Sequence, residues 1–61
     1  MRGIEDMQFA AEPQRDGRFV GRVREFPKLR TRPYKSRLDA LDEIIRLTSE
    51  ELREIHERMG R

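Results

Sequence analysis

Arginine is the residue type best equipped for chemistry in this sequence. Arg22, Arg24, Arg30 and Arg32 recur at intervals of two within two short stretches, with Arg18, Lys28 and Lys35 around them. A guanidinium is a planar fork that binds a carboxylate or a phosphate through two parallel hydrogen bonds. On strands, residues two apart share a face, so such a set can line one side of a sheet. That face would meet nucleic-acid phosphates, an acidic protein surface, or only water, where arginine keeps an open sheet soluble and guards its edges. Phe26 and Tyr34 are the aromatics nearest the set, too few for an RNA-stacking platform. The candidate binding residues are Arg22, Arg24, Arg30, Arg32 and Tyr34.

Other chemistry is thinly represented. The sequence has no phosphate-binding glycine loop, no dinucleotide fingerprint and no His-Glu-x-x-His zinc motif. It has no cysteine and a single histidine, His56, so a disulfide or a thiolate or paired-histidine metal site is not expected. Ser36 and Ser49 sit where serines cap helices or face solvent. Asp42-Glu43 and Glu50-Glu51 read as helix surface, with Asp42–Arg46 and Glu54–Arg58 as pairs four residues apart. Neither catalysis nor a cofactor is expected.

The elements that must position the arginines follow from the apolar pattern. Met7, Phe9 and Ala11 alternate over residues 7–12 and predict a strand that Pro13 closes. Asp16-Gly17 between two apolar runs is a hairpin signal. Residues 18–26 predict the strongest strand, with Phe19, Gly21 and Val23 on the core side and Val20, Arg22, Arg24 and Phe26 on the other. Gly21 leaves a gap on the core side that a helix can approach. Pro27 stops this strand. Residues 29–34 predict a third, confined to an edge or cut short by Pro33. Residues 1–6 are polar and expected to fray, leaving 7–61 as a single domain.

Ser36 opens a helix to Met59, its hydroxyl set to accept from the Asp39 N–H in an imperfect capping box. From Leu38 to Met59 there is neither glycine nor proline, and Gly60 follows as a terminator. Leu38, Leu41, Ile45, Thr48, Leu52, Ile55 and Met59 follow the alternating three-and-four spacing of a heptad seam, with Ala40, Ile44 and Leu47 beside it. At 1.5 Å per residue this helix is about 36 Å long. A six-residue strand spans only about 20 Å, so the last turns should overhang the sheet. Leu52, Ile55 and Met59 would then lie bare in a lone chain. Burying each is worth roughly 1.5–3 kcal/mol, which makes a second copy the obvious cover, with Leu41, Ile45, Leu52, Ile55 and Met59 as its interface. Two other arrangements stay open: a break near Thr48-Ser49 with Ser49 capping a second helix, or a ribbon-helix-helix with residues 18–26 as the ribbon.

Size and charge agree with a partnered domain. At 61 residues a chain forms a single small core, and small domains usually need a staple. With disulfides and metals set aside, oligomerisation remains. Hydrophobic residues are 34% and charged residues 43%, but the net charge is only +2 and the apolar residues are periodic, which argues against disorder. Residues 14–37 carry nine basic side chains against Asp16 and Glu25, a net of +7, whereas residues 38–61 carry a net of −3. The middle segment therefore suits an acidic or polyanionic partner. No apolar run is long enough to span a membrane and no signal peptide is evident, so a cytoplasmic protein is expected.

The order of these features resembles the HicB antitoxin family over roughly residues 7–47. That family runs from a strand to a D-G turn, an aromatic-rich strand ending at P-D-L-P-G, a third strand, and a helix opened by T-x-E-E-A-L. Phe9 to Glu12 match the first strand, Asp16-Gly17 the turn, Arg18 to Phe26 the second strand and Pro27, Lys28 and Leu29 the loop. Ser36, Asp39, Ala40 and Leu41 match the helix opening. The second proline and glycine of the family loop are absent, and Tyr34 or Lys35 stands where a glycine usually precedes the helix. The chain leaves no room after its helix for the family's C-terminal DNA-binding module, so operator binding is not implied. The resemblance implies a partial double-stranded-RNA-binding-like domain that self-associates and binds a small toxin ribonuclease of the HicA type. The expectation is thus an α+β protein: a small antiparallel sheet of two or three strands and one long C-terminal helix, oligomerising through that helix. Its alternative role is a small basic nucleic-acid-binding module.

Overall fold

The computed structural model describes residues 6–60, in the order strand, strand, helix. Of the frayed stretch expected at residues 1–6, only Asp6 lies among the described residues, and it is exposed. Strand β1 (Phe9–Pro13) pairs antiparallel with β2 (Phe19–Val23), Phe9 opposite Val23, Ala11 opposite Gly21 and Pro13 opposite Phe19. Helix α1 (Arg37–Met59) follows. Arg15, Asp16 and Gly17 make the hairpin turn, closed by the Gln14 N–H on the Arg18 carbonyl at 2.7 Å. Gly17 takes φ +87°, the left-handed conformation that such three-residue turns place last and that glycine adopts without a Cβ clash. The Asp16 carboxylate accepts from the Arg18 N–H at 3.0 Å.

Residues 30–34 run antiparallel beside β2 without forming a full strand. They meet it at two points, Arg30 opposite Arg22 and Tyr34 opposite Phe19. Phe19 and Tyr34 exchange two backbone hydrogen bonds, at 2.7 and 2.8 Å. Between the two points this segment is one residue longer than β2, which makes a bulge. Pro33 falls inside it and has no N–H to give. Thr31 holds the bulge closed. Its N–H donates to the Gly21 carbonyl at 3.1 Å, and its hydroxyl accepts from the Gly21 N–H at 2.8 Å.

The helix lies on the face shared by Phe9, Ala11, Gly21 and Val23. Val23, Ala40 and Ile44 form the buried apolar core, with Thr31 and Thr48 buried beside them. A Cβ on Gly21 would lie against the Ala40 carbonyl oxygen, 2.8 Å from Ile44 Cβ and 2.9 Å from Thr31 Cγ2. Only glycine admits the helix this closely, as the gap in the strand pattern predicts. Ser36 is the N-cap, its hydroxyl accepting from the Asp39 N–H at a long 3.5 Å. No return bond from Asp39 is formed among the described residues, so the capping box is half made.

The helix is unbroken through Thr48-Ser49, which removes both the two-helix alternative and the ribbon-helix-helix. The Thr48 hydroxyl donates to the Ile44 carbonyl at 2.8 Å and the Ser49 hydroxyl to the Ile45 carbonyl at 3.0 Å. Both hydroxyls thus turn back on the preceding turn rather than cap a new one. The surface pairs differ from those expected. Arg46 binds Glu43, and Glu50 at 3.1 Å, rather than Asp42. The hydrogen bond that Arg46 donates to Glu43, more than any other contact, raises the Arg46 pKa. Glu54 and Arg58 form no ion pair among the described residues. The molecule measures 44 × 18 × 16 Å, elongated along the helix. No helix among the described residues is long and apolar enough to cross a membrane.

Candidate binding faces

With the helix on one side of the hairpin, the other side is open. Alternation along β2 places Val20 and Arg22 there, and the register adds Ala10 and Glu12 from β1. Arg30 joins them because it stands directly opposite Arg22. Like charges directly opposite on neighbouring strands repel, and the Glu12 carboxylate, 3.9 Å from Arg22, offsets part of that repulsion.

Arg22 lies across this face and is the best-held of the arginines on it. Its Nη2 donates to the Pro27 carbonyl at 3.3 Å, and its Nη1 is 3.9 Å from the Glu12 carboxylate. Its Nε is buried and has no hydrogen-bond partner among the described residues. Arg22 separates two shallow hollows. One is shared with Gln8, Ala10, Arg24 and Pro27, the other with Gln14, Val20, Arg30 and Pro33; Glu12 borders both. Arg24 is further tied to Gln8 by a 3.4 Å side-chain bond. Arg24, Arg30 and Arg32 form no ion pair among the described residues.

The structure therefore gathers Arg22, Arg24 and Arg30, but not the whole predicted set. Arg32 is exposed within the bulge and borders neither hollow. Tyr34 opposes Phe19 and so belongs to the helix side of the sheet. Phe26 also lies on that side, sharing a hollow with Leu29 and the helix residue Glu51. Neither aromatic stands on the open arginine face. Phe19 is itself capped by the Arg37 guanidinium, 5.5 Å from the ring centre.

The second candidate face is on the helix. Ala40 and Ile44, beside the heptad seam, and Thr48, a member of it, turn squarely to the sheet. The seam lies partly to one side. Leu38, Ile45 and Met59 are 70%, 39% and 77% exposed. Leu41, Leu52 and Ile55 are half-buried. The overhang is thus less bare than expected at Leu52 and Ile55. Bare apolar surface also appears over the sheet, at Leu38 and Ile45. Leu38 stands outside the set expected at the interface, although it shares the seven-residue repeat with Ile45, Leu52 and Met59. Ser49, Leu52, Arg53 and His56 border a shallow groove along the same side. No group of three or more acidic, histidine or cysteine side chains among the described residues is arranged to hold a metal ion.

These features define a class by architecture: a small α+β domain, with one antiparallel hairpin followed by one long C-terminal helix. Comparison with protein-family models, with curated proteins and with solved structures gave no match.

Proposed function

We propose that the chain is a non-catalytic interaction protein resembling a HicB-type antitoxin, which binds and neutralises a small toxin ribonuclease while self-associating through its helix. The observation that carries this reading is the uncovered sheet face with Arg22 and Arg30 side by side upon it. An arriving carboxylate relieves the repulsion between the two guanidiniums, which Glu12 at 3.9 Å from Arg22 offsets only in part. A toxin docking here must therefore present acidic side chains to the hollows on either side of Arg22. The strand, D-G turn, strand, F-P loop and capped helix supply the likeness to the antitoxin family. The test is co-expression with a small ribonuclease encoded beside the gene. The two should co-purify, and the chain should abolish the RNA cleavage of its partner at equal molar amounts. Arg22→Ala or Arg30→Ala should weaken the complex on the order of tenfold or more. A neighbouring ribonuclease that neither co-purifies nor loses activity would remove the antitoxin reading.

A second reading, a basic nucleic-acid-binding module, is favoured by Arg24, Arg30 and Arg32 having no ion pair among the described residues. With Phe26 and Tyr34 on the helix side, such binding rests on phosphate contacts rather than base stacking. Affinity would then fall steeply with salt, each lost phosphate contact lowering the log–log slope by about 0.7–0.9. An absence of binding at low salt would exclude it.

A further inference from the structure

The exposed Leu38, Ile45 and Met59 of the helix form a stripe together with the half-buried Leu52. Leu38, Ile45, Leu52 and Met59 recur at intervals of seven, and such a repeat drifts only about 20° per heptad around a straight helix. The stripe lies about 100° around the axis from the sheet-facing Ala40, Ile44 and Thr48, the angle between successive residues such as Ile44 and Ile45. It is also symmetric along the chain. Leu38 and Met59 are equally far from the Thr48-Ser49 bond, and so are Ile45 and Leu52.

We infer that a second copy of the chain covers this stripe, antiparallel, about a two-fold axis close to Ser49. Leu38 then meets the partner's Met59, and Ile45 meets the partner's Leu52. A two-fold contact uses the same patch on both copies, which a stripe symmetric about its midpoint satisfies. Ser49 suits the crossing point because it is small and its hydroxyl is already bonded to the Ile45 carbonyl. The groove bordered by Ser49, Leu52, Arg53 and His56 lies where the partner's Leu41 and Ile45 arrive.

Charge selects the antiparallel direction over the parallel one. Residues 49–60 carry Glu50, Glu51, Glu54 and Glu57 against Arg53 and Arg58, a net of −2, whereas residues 14–37 carry +7. Antiparallel pairing lays each acidic overhang beside the body of the other copy, whose residues 14–48 keep a net of +5 with Asp39, Asp42 and Glu43 included. Parallel pairing sets acidic overhang against acidic overhang. The helix dipoles also oppose in the antiparallel arrangement and align in the parallel one.

The inference rests on the self-association half of the proposed function, and its test separates the two. The sequence has no cysteine, so introduced cysteines report alone. A mixture of Leu38→Cys and Met59→Cys chains, oxidised gently, should give the mixed disulfide, and neither chain alone should link to itself. The unmodified chain should sediment at twice its 7.4 kDa mass, and Ile45→Glu should return it to 7.4 kDa with its helix content kept. Self-linking of either single-cysteine chain, or no mixed disulfide, overturns the antiparallel arrangement even if the mass is doubled. A mass of 7.4 kDa at millimolar concentration overturns both the orientation and self-association. If Ile45→Glu unfolds the chain, the disulfide pattern and the mass of the unmodified chain decide.

Discussion

Between Arg37 and Thr48 the helix lies on the hairpin, where Ala40, Ile44 and Thr48 are buried; between Ser49 and Met59 no residue is buried. The local physics of the two halves is the same, with helix-forming residues, no glycine and no proline. Tertiary cover is what differs. A segment of about eleven residues is below the length at which an isolated helix holds in water. The second half is helical because it continues the first, and its apolar side chains, at most half-buried, stabilise fully only when something covers them. In so small a domain, the first half carries the fold, and we propose that the second serves association.

Four substitutions sharpen or break this contrast. The largest effect is expected at Gly21→Val, which drives a side chain into the Ala40 carbonyl and Ile44. Ordinary overpacking costs about 1–3 kcal/mol, but a backbone oxygen cannot yield as a side chain does, so the cost here approaches the roughly 3–9 kcal/mol that the whole domain holds at typical stability per residue. Circular dichroism should show a largely unfolded chain. Next comes Ile44→Ala, which empties the centre of the covered half; urea denaturation should record a loss of about 2–5 kcal/mol. Thr31→Val keeps the shape but leaves the buried Gly21 N–H without its acceptor. The same measurement should give about 1–3 kcal/mol. The smallest effect in dilute solution is expected for Leu52→Ala, below about 1 kcal/mol, growing with protein concentration as the chains pair. If Leu52→Ala were as costly as Ile44→Ala at every concentration, the halves would not differ as described.

Much of this contrast is legible in the sequence. The Asp16-Gly17 turn, the gap at Gly21, the Ser36 cap and the long helix all follow from residue chemistry that acts over a few positions. What escapes it depends on a single extra residue or on which neighbour wins. Carried in the register of Arg22 and Arg30, Tyr34 would fall on the arginine face; the bulge around Thr31 and Pro33 shifts it to the helix side. Two apolar stripes overlap on the helix, and periodicity alone does not tell which the sheet takes. Gly21 decides, because the close approach it permits suits Ala40 and Ile44 rather than Leu41 and Ile45. Arg46 lies within reach of Asp42, Glu43 and Glu50 alike, and the choice among them belongs to side-chain rotamers.

Residue-resolved amide hydrogen exchange on the unmodified chain, at micromolar and at millimolar concentration, tests the difference between the halves most directly. The amides of residues 40–48 should be protected at both concentrations. Those of residues 52–59 should exchange fast when dilute and slow markedly when concentrated. Equal exchange of residues 52–59 at both concentrations would contradict a helix whose second half is completed by another copy.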